Sequence, residues 1–291
     1  MGVKTLYISD LDGTLLNRGA KLSAYAAETL NALAAQGLHF TIATARTYAS
    51  AGKILSELQL PVPVLLMNGV LIYDAARGDY IQIHRLPPDT VAAVIDTLRT
   101  WQVTGFMYEL NNGAFMTYHE SLEPGPLRDF MAERVARYYK TFRHTGSFSG
   151  VSPEHIIYFT LLDTHDRLRP VRDALAGIPG LNRTFYKDTY SEDLWYLELF
   201  SDQASKEHGT DFLRQTYGFE RVVGFGDNLN DLPMFAACDV KVAVDNAKPE
   251  VKAAADCLCG ANDEDGVVKW IEANAGLSPD LFCPPRPTGT A

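Results

Sequence analysis

The chain has few cysteines and fewer basic than acidic residues. Its four cysteines all lie in the last quarter of the 291 residues, too few and too unevenly spaced for a disulfide framework. The pair Cys257 and Cys259 lacks the two-residue gap of a metal-binding pair, so we interpret both as small buried hydrophobes. Lys and Arg total 26 against 36 Asp and Glu, for a formal net charge of −10. The basic residues are scattered, which argues against nucleic acid and favours a small-molecule substrate.

Long apolar runs are also missing. No stretch approaches the ~18 consecutive apolar residues of a membrane span, and no charged segment followed by an apolar run opens the sequence. We therefore expect a cytoplasmic protein that does not contact a membrane. With 46% hydrophobic and 21% charged residues the composition is globular, and the length favours two domains.

The first 70 residues alternate between strand and helix patterns. An apolar strand, Leu6 to Ile8, precedes a helix over about 23–36, where Gly37 takes the C-terminal cap position. The continuous β-rich run 38–44 predicts a strand buried on both faces, and a helix over 47–58 leads to the strand 64–67. This order is typical of a doubly wound α/β sheet, in which ligands bind beyond the carboxyl ends of the strands.

The pattern changes between about residues 85 and 190. Strand-like runs at 105–110, 114–118 and 155–162 alternate with a helical run at 89–101, which predicts an inserted α+β module. The α/β alternation returns with a strand at 194–200, a helix at 204–217 and a strand at 221–225. We predict a core over 1–85 plus 190–277, a second domain over 86–189 and a disordered tail over 278–291.

Acidic residues follow two of the predicted core strands. Asp10 and Asp12 lie one residue apart where the first strand ends, and Asp227 and Asp231 follow the strand 221–225. Alternate residues of an extended segment share a face, so both carboxylates of the first pair can converge on one site. Clustered carboxylates repel one another and need a cation. Mg²⁺ takes oxygen ligands and usually arrives with a substrate phosphate, so the pattern favours phosphoryl chemistry.

Four segments in this order resemble the motifs of the haloacid dehalogenase (HAD) superfamily, and most closely its Cof-type, subclass IIB, phosphatases. They are 10–15 (Asp-Leu-Asp-Gly-Thr-Leu), Thr44, Lys206 and 226–231. The resemblance covers most of the chain. It implies a Rossmann-like parallel-sheet core with an inserted α+β cap of the C2 type, which closes over the site and selects the substrate.

The resemblance also assigns roles to individual residues. Asp10 is the nucleophile that forms an aspartyl-phosphate, and Asp12 is the general acid and base. Mg²⁺ is held by Asp10, the backbone carbonyl of Asp12 and Asp227, with Asp231 supporting the site. Phosphate or substrate is bound by Leu11, Thr44, Ala45, Arg46, Asn68, Lys206 and Asn230. The implied substrate is a small phosphorylated metabolite, such as a sugar, nucleotide or cofactor phosphate.

Two positions depart from the family pattern. Ala45 replaces the usual Gly of the second motif, which puts a methyl group where the backbone should approach phosphate, and Glu207 replaces the usual Gly after Lys206. Without the resemblance, the pattern around Lys206 is that of a solvated lysine at the start of a helix. The pair Asn68-Gly69 alone indicates a turn. Within the cap, Glu109, Tyr158 and Lys187 are candidates for contact with the organic part of the substrate.

Three other functions remain open from the sequence. A phosphosugar mutase of the same fold shares the nucleophile and differs in rebinding its product. A non-catalytic phosphometabolite sensor does not require both Asp10 and Asp12, which are both present. A nucleic-acid 3′-phosphatase is disfavoured by the net charge of −10. Oligomeric state leaves no signature in the sequence.

Overall fold

The structure, a computed structural model, describes residues 3–188 and 193–275. The predicted disordered tail over 278–291 lies outside these residues, as does part of the predicted domain boundary near 190. In chain order the helices and strands are β1 (Thr5–Ser9), α1 (Ala24–Ala35), β2 (His39–Ile42), α2 (Tyr48–Leu55), β3 (Val64–Leu66), β4 (Leu71–Asp74), β5 (Asp79–Ile83), α3 (Pro88–Thr100), β6 (Phe106–Asn111), β7 (Ala114–His119), α4 (Pro126–Tyr138), β8 (Phe142–His144), β9 (Ile156–Asp163), α5 (His165–Ala174), β10 (Leu181–Lys187), β11 (Trp195–Ser201), α6 (Lys206–Tyr217), β12 (Arg221–Gly226), α7 (Leu232–Ala236), β13 (Val240–Val244), α8 (Pro249–Ala254), β14 (Cys257–Cys259) and α9 (Gly266–Asn274).

The chain forms two compact units. Of the described residues, the first unit comprises 3–44, 53–64 and 209–275, and the second comprises 45–52, 65–188 and 193–208. The domain division predicted from the sequence, 1–85 plus 190–277 around 86–189, stays a prediction. No helix in the described ranges combines the length and apolarity of a membrane span.

A five-stranded parallel sheet organises the first unit. Its strand order is β14-β13-β12-β1-β2, so β1 lies between β12 and β2. The strands are buried apolar runs, as predicted for a parallel sheet covered on both faces. In the register of β1 and β12, Ser9 is paired with Phe225, so both strands end at the same edge. The residues that follow each strand therefore enter the same region.

Helix α1 begins and ends where the sequence predicts. The Ser23 hydroxyl accepts a hydrogen bond from the backbone N–H of Ala26 and caps the first turn. Gly37 has a φ of 95°, the left-handed conformation that glycine adopts without steric cost. The interpretation of Cys257 and Cys259 as small buried hydrophobes is only partly confirmed. Cys259 is a half-buried free thiol, whereas Cys257 at the start of β14 is buried but disulfide-bonded.

The second unit contains a six-stranded sheet of order β10-β11-β9-β6-β7-β8. Helices α3 and α5 pack on it through a core that includes Val94, Leu168, Met107 and Phe159. A smaller sheet joins β3, β4 and β5, and the sequence analysis did not predict the hairpin of β4 and β5.

The position of β11 differs from the expectation. The strand predicted at 194–200 is expected to belong to the α/β core, but β11 is hydrogen-bonded in antiparallel register between β10 and β9. The pattern predicts a strand correctly, but it does not identify the partners, because strand pairing depends on distant segments. Both faces of the sheet are covered here, since Phe130 of α4 contacts the rings of Phe106 and Tyr196.

Candidate active site

Three aspartates meet at the carboxyl edge of the parallel sheet in the first unit. Asp10 directly follows β1, Asp227 directly follows β12, and Asp231 lies one helical turn farther along the chain. All three are buried, and each offers a carboxylate oxygen within 4.8 Å of the others. The pairing of β1 with β12 produces this proximity, because residues beyond paired parallel strands are neighbours.

Hydrogen bonds hold the carboxylates of Asp227 and Asp231 in place. The Thr14 hydroxyl donates to Oδ1 of Asp227 over 2.8 Å. Oδ2 of Asp231 accepts from the backbone N–H groups of Asp227 and Asn228, both over 3.0 Å. The Asp231 side chain therefore orders the loop that carries Asp227.

Two glycines allow this close packing. A Cβ on Gly13, whose φ is 79°, would lie 2.5 Å from Oδ2 of Asp227. A Cβ on Gly226 would lie 2.6 Å from Cβ of Asp231. Both contacts are shorter than side chains tolerate, so glycine is required at both positions for the carboxylates to sit where they do.

The donor set fits a hard divalent cation. Carboxylate oxygens are the preferred ligands of Mg²⁺ and Ca²⁺, and three of them lie within reach of one ion here. Buried like charges at this spacing repel strongly, and a bound cation removes that cost. In the described part of the chain, this cluster is the group of side chains that could hold a metal ion.

The loop after Asp10 turns sharply around the backbone carbonyl of Leu11. That carbonyl accepts hydrogen bonds from the N–H groups of Leu15 and Leu16, and Asp12 forms an isolated backbone bridge with Leu16. Leu11 itself is fully buried, and Asp12 is half-buried. The sequence-predicted acid pair is therefore carried by a compact, hydrogen-bonded turn.

Two asparagines that the sequence analysis missed anchor this turn. Asn246 donates its side-chain N–H to the carbonyl of Gly13 over 2.7 Å, and Asn262 donates to the carbonyl of Leu16 over 2.8 Å. Asn262 also donates its backbone N–H to Oδ1 of Asn246. Asn246 could have been found from the sequence, because it lies two residues beyond the carboxyl end of β13, at the same edge of the sheet as Asp10.

Thr44 and Asn230 are also in the first unit, and both are buried. Thr44 follows β2, whose neighbour in the sheet is β1, and the backbone N–H of Ala43 donates to the carbonyl of Ser9. Asn230 lies in the short 3₁₀ turn 229–231, between the two aspartates of the fourth motif. The parallel topology thus places both residues at the edge that carries the acid cluster.

The remaining predicted site residues belong to the second unit. Arg46 donates to the carbonyl of Ser50 and to the hydroxyl of Tyr138, and its own carbonyl accepts from the N–H of Met67. This backbone bond ties the Ala45-Arg46 segment to the Met67-Asn68-Gly69 turn. Asn68 is buried, and it adopts a left-handed backbone with φ of 56° and ψ of 32°.

Lys206 is 1% exposed at the first position of α6, so the alternative of a solvated helix-start lysine is wrong. The Asn68-Gly69 turn packs against the segment that leads into α6. A Cβ on Gly69 would lie 2.2 Å from the carbonyl oxygen of Ser205 and 3.3 Å from the backbone nitrogen of Lys206. The second unit thus brings together Asn68 and Lys206, which are far apart in sequence.

A buried glutamate that the sequence analysis also missed bonds to Asn68. Glu198 on β11 accepts from the side-chain amide of Asn68 over 2.8 Å and from the Tyr186 hydroxyl over 2.9 Å. The same amide donates to the hydroxyl of Tyr158, a cap specificity candidate that is itself buried here. Burial raises the pKa of Glu198, and hydrogen bonds to its carboxylate oppose that shift. Alternation along β11 predicts a solvent-facing side chain at 198.

Comparison with known proteins agrees with this geometry. The family model of haloacid dehalogenase-like hydrolases matches residues 7–271. The chain belongs to this family. The match covers the acid loop, Lys206 and the fourth motif, and the predicted resemblance to the Cof-type phosphatases is confirmed.

Named relatives are distant but cover the chain almost completely. It is 23% identical to a 5-amino-6-(5-phospho-D-ribitylamino)uracil phosphatase of Bacillus subtilis, covering 90% of this chain and 94% of that one. It is 24% identical to a pyridoxal phosphate phosphatase of Escherichia coli, covering 90% and 95%. A haloacid dehalogenase-like hydrolase of Bacteroides thetaiotaomicron superposes with a TM-score of 0.75 at 26% identity, covering 92% and 98%. The protein is a phosphatase of the haloacid dehalogenase type.

Proposed function

We propose that this haloacid dehalogenase-like phosphatase hydrolyses phosphate monoesters of small metabolites through an aspartyl-phosphate on Asp10, with Mg²⁺ as cofactor. The observation that carries the proposal is the buried cluster of Asp10, Asp227 and Asp231 at the ends of paired parallel strands. Phosphate monoester hydrolysis is among the slowest uncatalysed reactions, so several catalytic effects must act together.

Asp10 and Asp12 carry the covalent chemistry in this proposal. A carboxylate oxygen of Asp10 attacks phosphorus, and the bond from phosphorus to the ester oxygen breaks. Asp12 gives its proton to the leaving alkoxide, so that an alcohol departs. In the second half-reaction Asp12 takes a proton from water, whose oxygen attacks phosphorus and releases inorganic phosphate and the Asp10 carboxylate.

The proposed metal ligands are the Asp10 carboxylate, the Asp12 backbone carbonyl and the Asp227 carboxylate. Asp231 orders the Asp227 loop by the hydrogen bonds described above. When bound, Mg²⁺ neutralises the acid cluster and polarises the phosphoryl oxygens. The proximity of the three carboxylates and their burial support this assignment.

The other predicted residues stabilise charge on the phosphoryl group or contact the substrate. We assign Lys206 the role of a point charge for the transferring phosphoryl group, and Thr44, the backbone of Ala45 and Asn230 those of hydrogen-bond donors. The remaining assignments to phosphate or substrate binding are Leu11, Arg46 and Asn68. The near-complete burial of Lys206 supports its assignment, because a solvated lysine would not be 1% exposed.

We propose that residues 86–189 form a cap that selects the substrate. The relatives support a phosphorylated metabolite as its class, since one is named for a phosphoribitylamino-uracil and another for pyridoxal phosphate. The net charge of −10 supports a small molecule over nucleic acid.

Phosphate release from a panel of phosphorylated metabolites tests the proposal. We expect release that requires Mg²⁺, stops with EDTA, and falls by at least about a thousandfold in Asp10→Asn, which keeps the shape but removes the nucleophile. The matched control is Asp245→Asn, since Asp245 also follows a parallel strand but is exposed and forms an ion pair with Lys252. That variant should keep wild-type activity.

Three outcomes count against the proposal. Phosphate release that survives EDTA would show that the reaction needs no metal. Release that survives in Asp10→Asn would exclude an aspartyl-phosphate on Asp10. Isomerised sugar phosphates without phosphate release would favour the mutase.

A further inference from the structure

Glu198 has the environment of a residue that holds another group in place. It is 4% exposed in the middle of β11, between β10 and β9. Its Oε2 accepts hydrogen bonds from the Asn68 amide, the Tyr186 hydroxyl and, over 3.3 Å, the Thr184 hydroxyl. These donors are all neutral. A buried carboxylate on a strand is costly, and it persists where its hydrogen bonds hold the donor groups in a specific arrangement.

The strongest constraint that Glu198 applies falls on Asn68. The side-chain amide of Asn68 donates to both Glu198 and Tyr158, each over 2.8 Å. Met67, Asn68 and Gly69 all have positive φ, at 50°, 56° and 90°. Non-glycine residues enter this region at a cost of roughly 1–2 kcal/mol each, so the turn needs outside contacts to hold it.

The Met67-Asn68-Gly69 turn also lies against the residues at which α6 begins. Gly69 lies so close to the Ser205 carbonyl that there is no room for a side chain between them, so the turn is in direct backbone contact with the residue before α6. The Ser205 hydroxyl accepts from the backbone N–H of His208 and caps α6, whose first residue is Lys206. Asn182 on β10 donates to the carbonyl of Ala204 and holds the same loop from its other side.

We propose that Glu198 is a positioning residue that fixes the Lys206 side chain for phosphoryl transfer by holding the Asn68-Gly69 turn against Ser205. The inference rests on the proposed function, because it assumes that Lys206 acts on the phosphoryl group. It assigns Glu198 no contact with substrate. What the network requires at position 198 is a hydrogen-bond acceptor rather than a negative charge, because every donor to Glu198 is neutral.

Three substitutions at and around Glu198 test this requirement by kinetics. Glu198→Leu removes one of the two acceptors of the Asn68 amide and leaves only the Tyr158 hydroxyl, so kcat should fall by about 10- to 100-fold while KM changes less than about threefold. Glu198→Gln keeps a carbonyl oxygen that can occupy the Oε2 position, and it should restore kcat to within about fivefold of wild type. The matched control is Tyr186→Phe, which removes a donor to the same oxygen without touching Asn68 and should leave kcat within about twofold.

A double-mutant cycle separates positioning from a general loss of structure. In Lys206→Met the group that Glu198 positions is gone, so adding Glu198→Leu should lower kcat no further. Additive losses would contradict the proposal. So would wild-type kcat in folded Glu198→Leu, or a kcat in Glu198→Gln as low as in Glu198→Leu.

Asn68→Gly decides the matter if Glu198→Leu does not fold. Glycine accepts the left-handed backbone at 68, so this variant removes the tether without adding strain. Because Asn68 is also assigned to phosphate or substrate binding, a loss of kcat must be accompanied by faster hydrogen exchange over 205–208 to support the proposal. Wild-type kcat or unchanged exchange would overturn it.

Hydrogen exchange provides a measurement that does not depend on activity. In Asn68→Gly and Glu198→Leu, backbone amides over 67–70 and 205–208 should exchange about tenfold faster, and in Tyr186→Phe they should match wild type. If wild type cleaves no ester, the proposed function fails, and this experiment still judges the coupling of Glu198 to Lys206. Unchanged exchange in both variants would overturn the coupling, whatever the activity of the wild type.

Discussion

Both units bury acidic side chains, but they satisfy them in opposite ways. In the first unit Asp10, Asp227 and Asp231 lie within 4.8 Å of one another. In the second, Glu198 is a single carboxylate that accepts hydrogen bonds from an amide and hydroxyls. A lone carboxylate can be accommodated by neutral donors, whereas three neighbouring carboxylates repel one another and favour the binding of a cation. The number of buried acids at a site therefore distinguishes a cluster that can bind a cation from a single carboxylate in a hydrogen-bond network.

Replacing one acid by its amide in each unit gives the largest expected contrast. Asp227→Asn removes a negative charge and a metal ligand, so phosphate release should fall by about 10²–10³-fold. Glu198→Gln keeps an acceptor and should lose no more than about fivefold. Initial rates of phosphate release at saturating Mg²⁺ measure both effects. Equal losses of activity in the two variants would contradict the difference proposed between the two sites.

Substitution of three glycines by alanine, one at a time, tests which of the two sites is packed more rigidly. Gly69→Ala places Cβ 2.2 Å from a backbone carbonyl, which cannot move aside, and should lower the free energy of unfolding by roughly 3–4 kcal/mol. Gly13→Ala meets the Asp227 side chain at 2.5 Å and should cost roughly 2–3 kcal/mol. Gly113, with the same φ of 79° as Gly13 and no atom within 4 Å of its Cβ, is the matched control.

Gly113→Ala should cost only the roughly 1–2 kcal/mol of a left-handed alanine. Urea unfolding of the three variants supplies the comparison. A cost for Gly69→Ala no greater than that for Gly113→Ala would show that the turn and Ser205 can separate freely.

Divalent metal should stabilise the protein through the first cluster alone. At about 100 times its dissociation constant, Mg²⁺ should raise the free energy of unfolding by about 2.7 kcal/mol in wild type and in Glu198→Gln. Asp227→Asn should show little of this gain, because one ligand has gone. Thermal unfolding with Mg²⁺ and with EDTA measures the effect, and stabilisation that persists in Asp227→Asn would place the metal elsewhere.

The pH dependence of stability should report the second cluster. Burial raises the pKa of Glu198 above its ordinary value, although hydrogen bonds oppose the shift. Its contribution to stability is therefore fully present below the unfolded pKa and is lost as pH rises through the folded pKa. The stability of Glu198→Gln relative to wild type should increase progressively above about pH 4.5. Denaturant unfolding at a series of pH values tests this, and a constant difference would mean that burial does not perturb Glu198.

Local sequence signals predicted much of the first unit. Ser23 and Gly37 mark the ends of α1, and β1 and β12 are apolar runs that end in acidic turns. The rule that parallel strands carry sites at their carboxyl edge was enough to bring Asp10 and Asp227 together before any coordinates. The same rule, applied to β13, would have found Asn246.

The second unit was less predictable because its contacts join distant segments. The alternation in β11 predicts a strand, but neither its pairing with β10 and β9 nor the burial of Glu198. Lys206 has the sequence pattern of a solvated lysine and is 1% exposed in the fold. Antiparallel pairing is decided by long-range packing rather than by the local pattern.

The sequence by itself determined the order of the motifs, the parallel arrangement of β1, β2 and β12, and the acidic character of their carboxyl edge. Those features follow from the spacing of apolar and polar residues along one segment at a time. Only the tertiary structure decided that Asn68 meets Glu198 and that Gly69 meets Ser205. Their hydrogen bonds and close contacts join residues about 130 positions apart, and directional, short-range interactions of that kind leave no periodic signal in the chain.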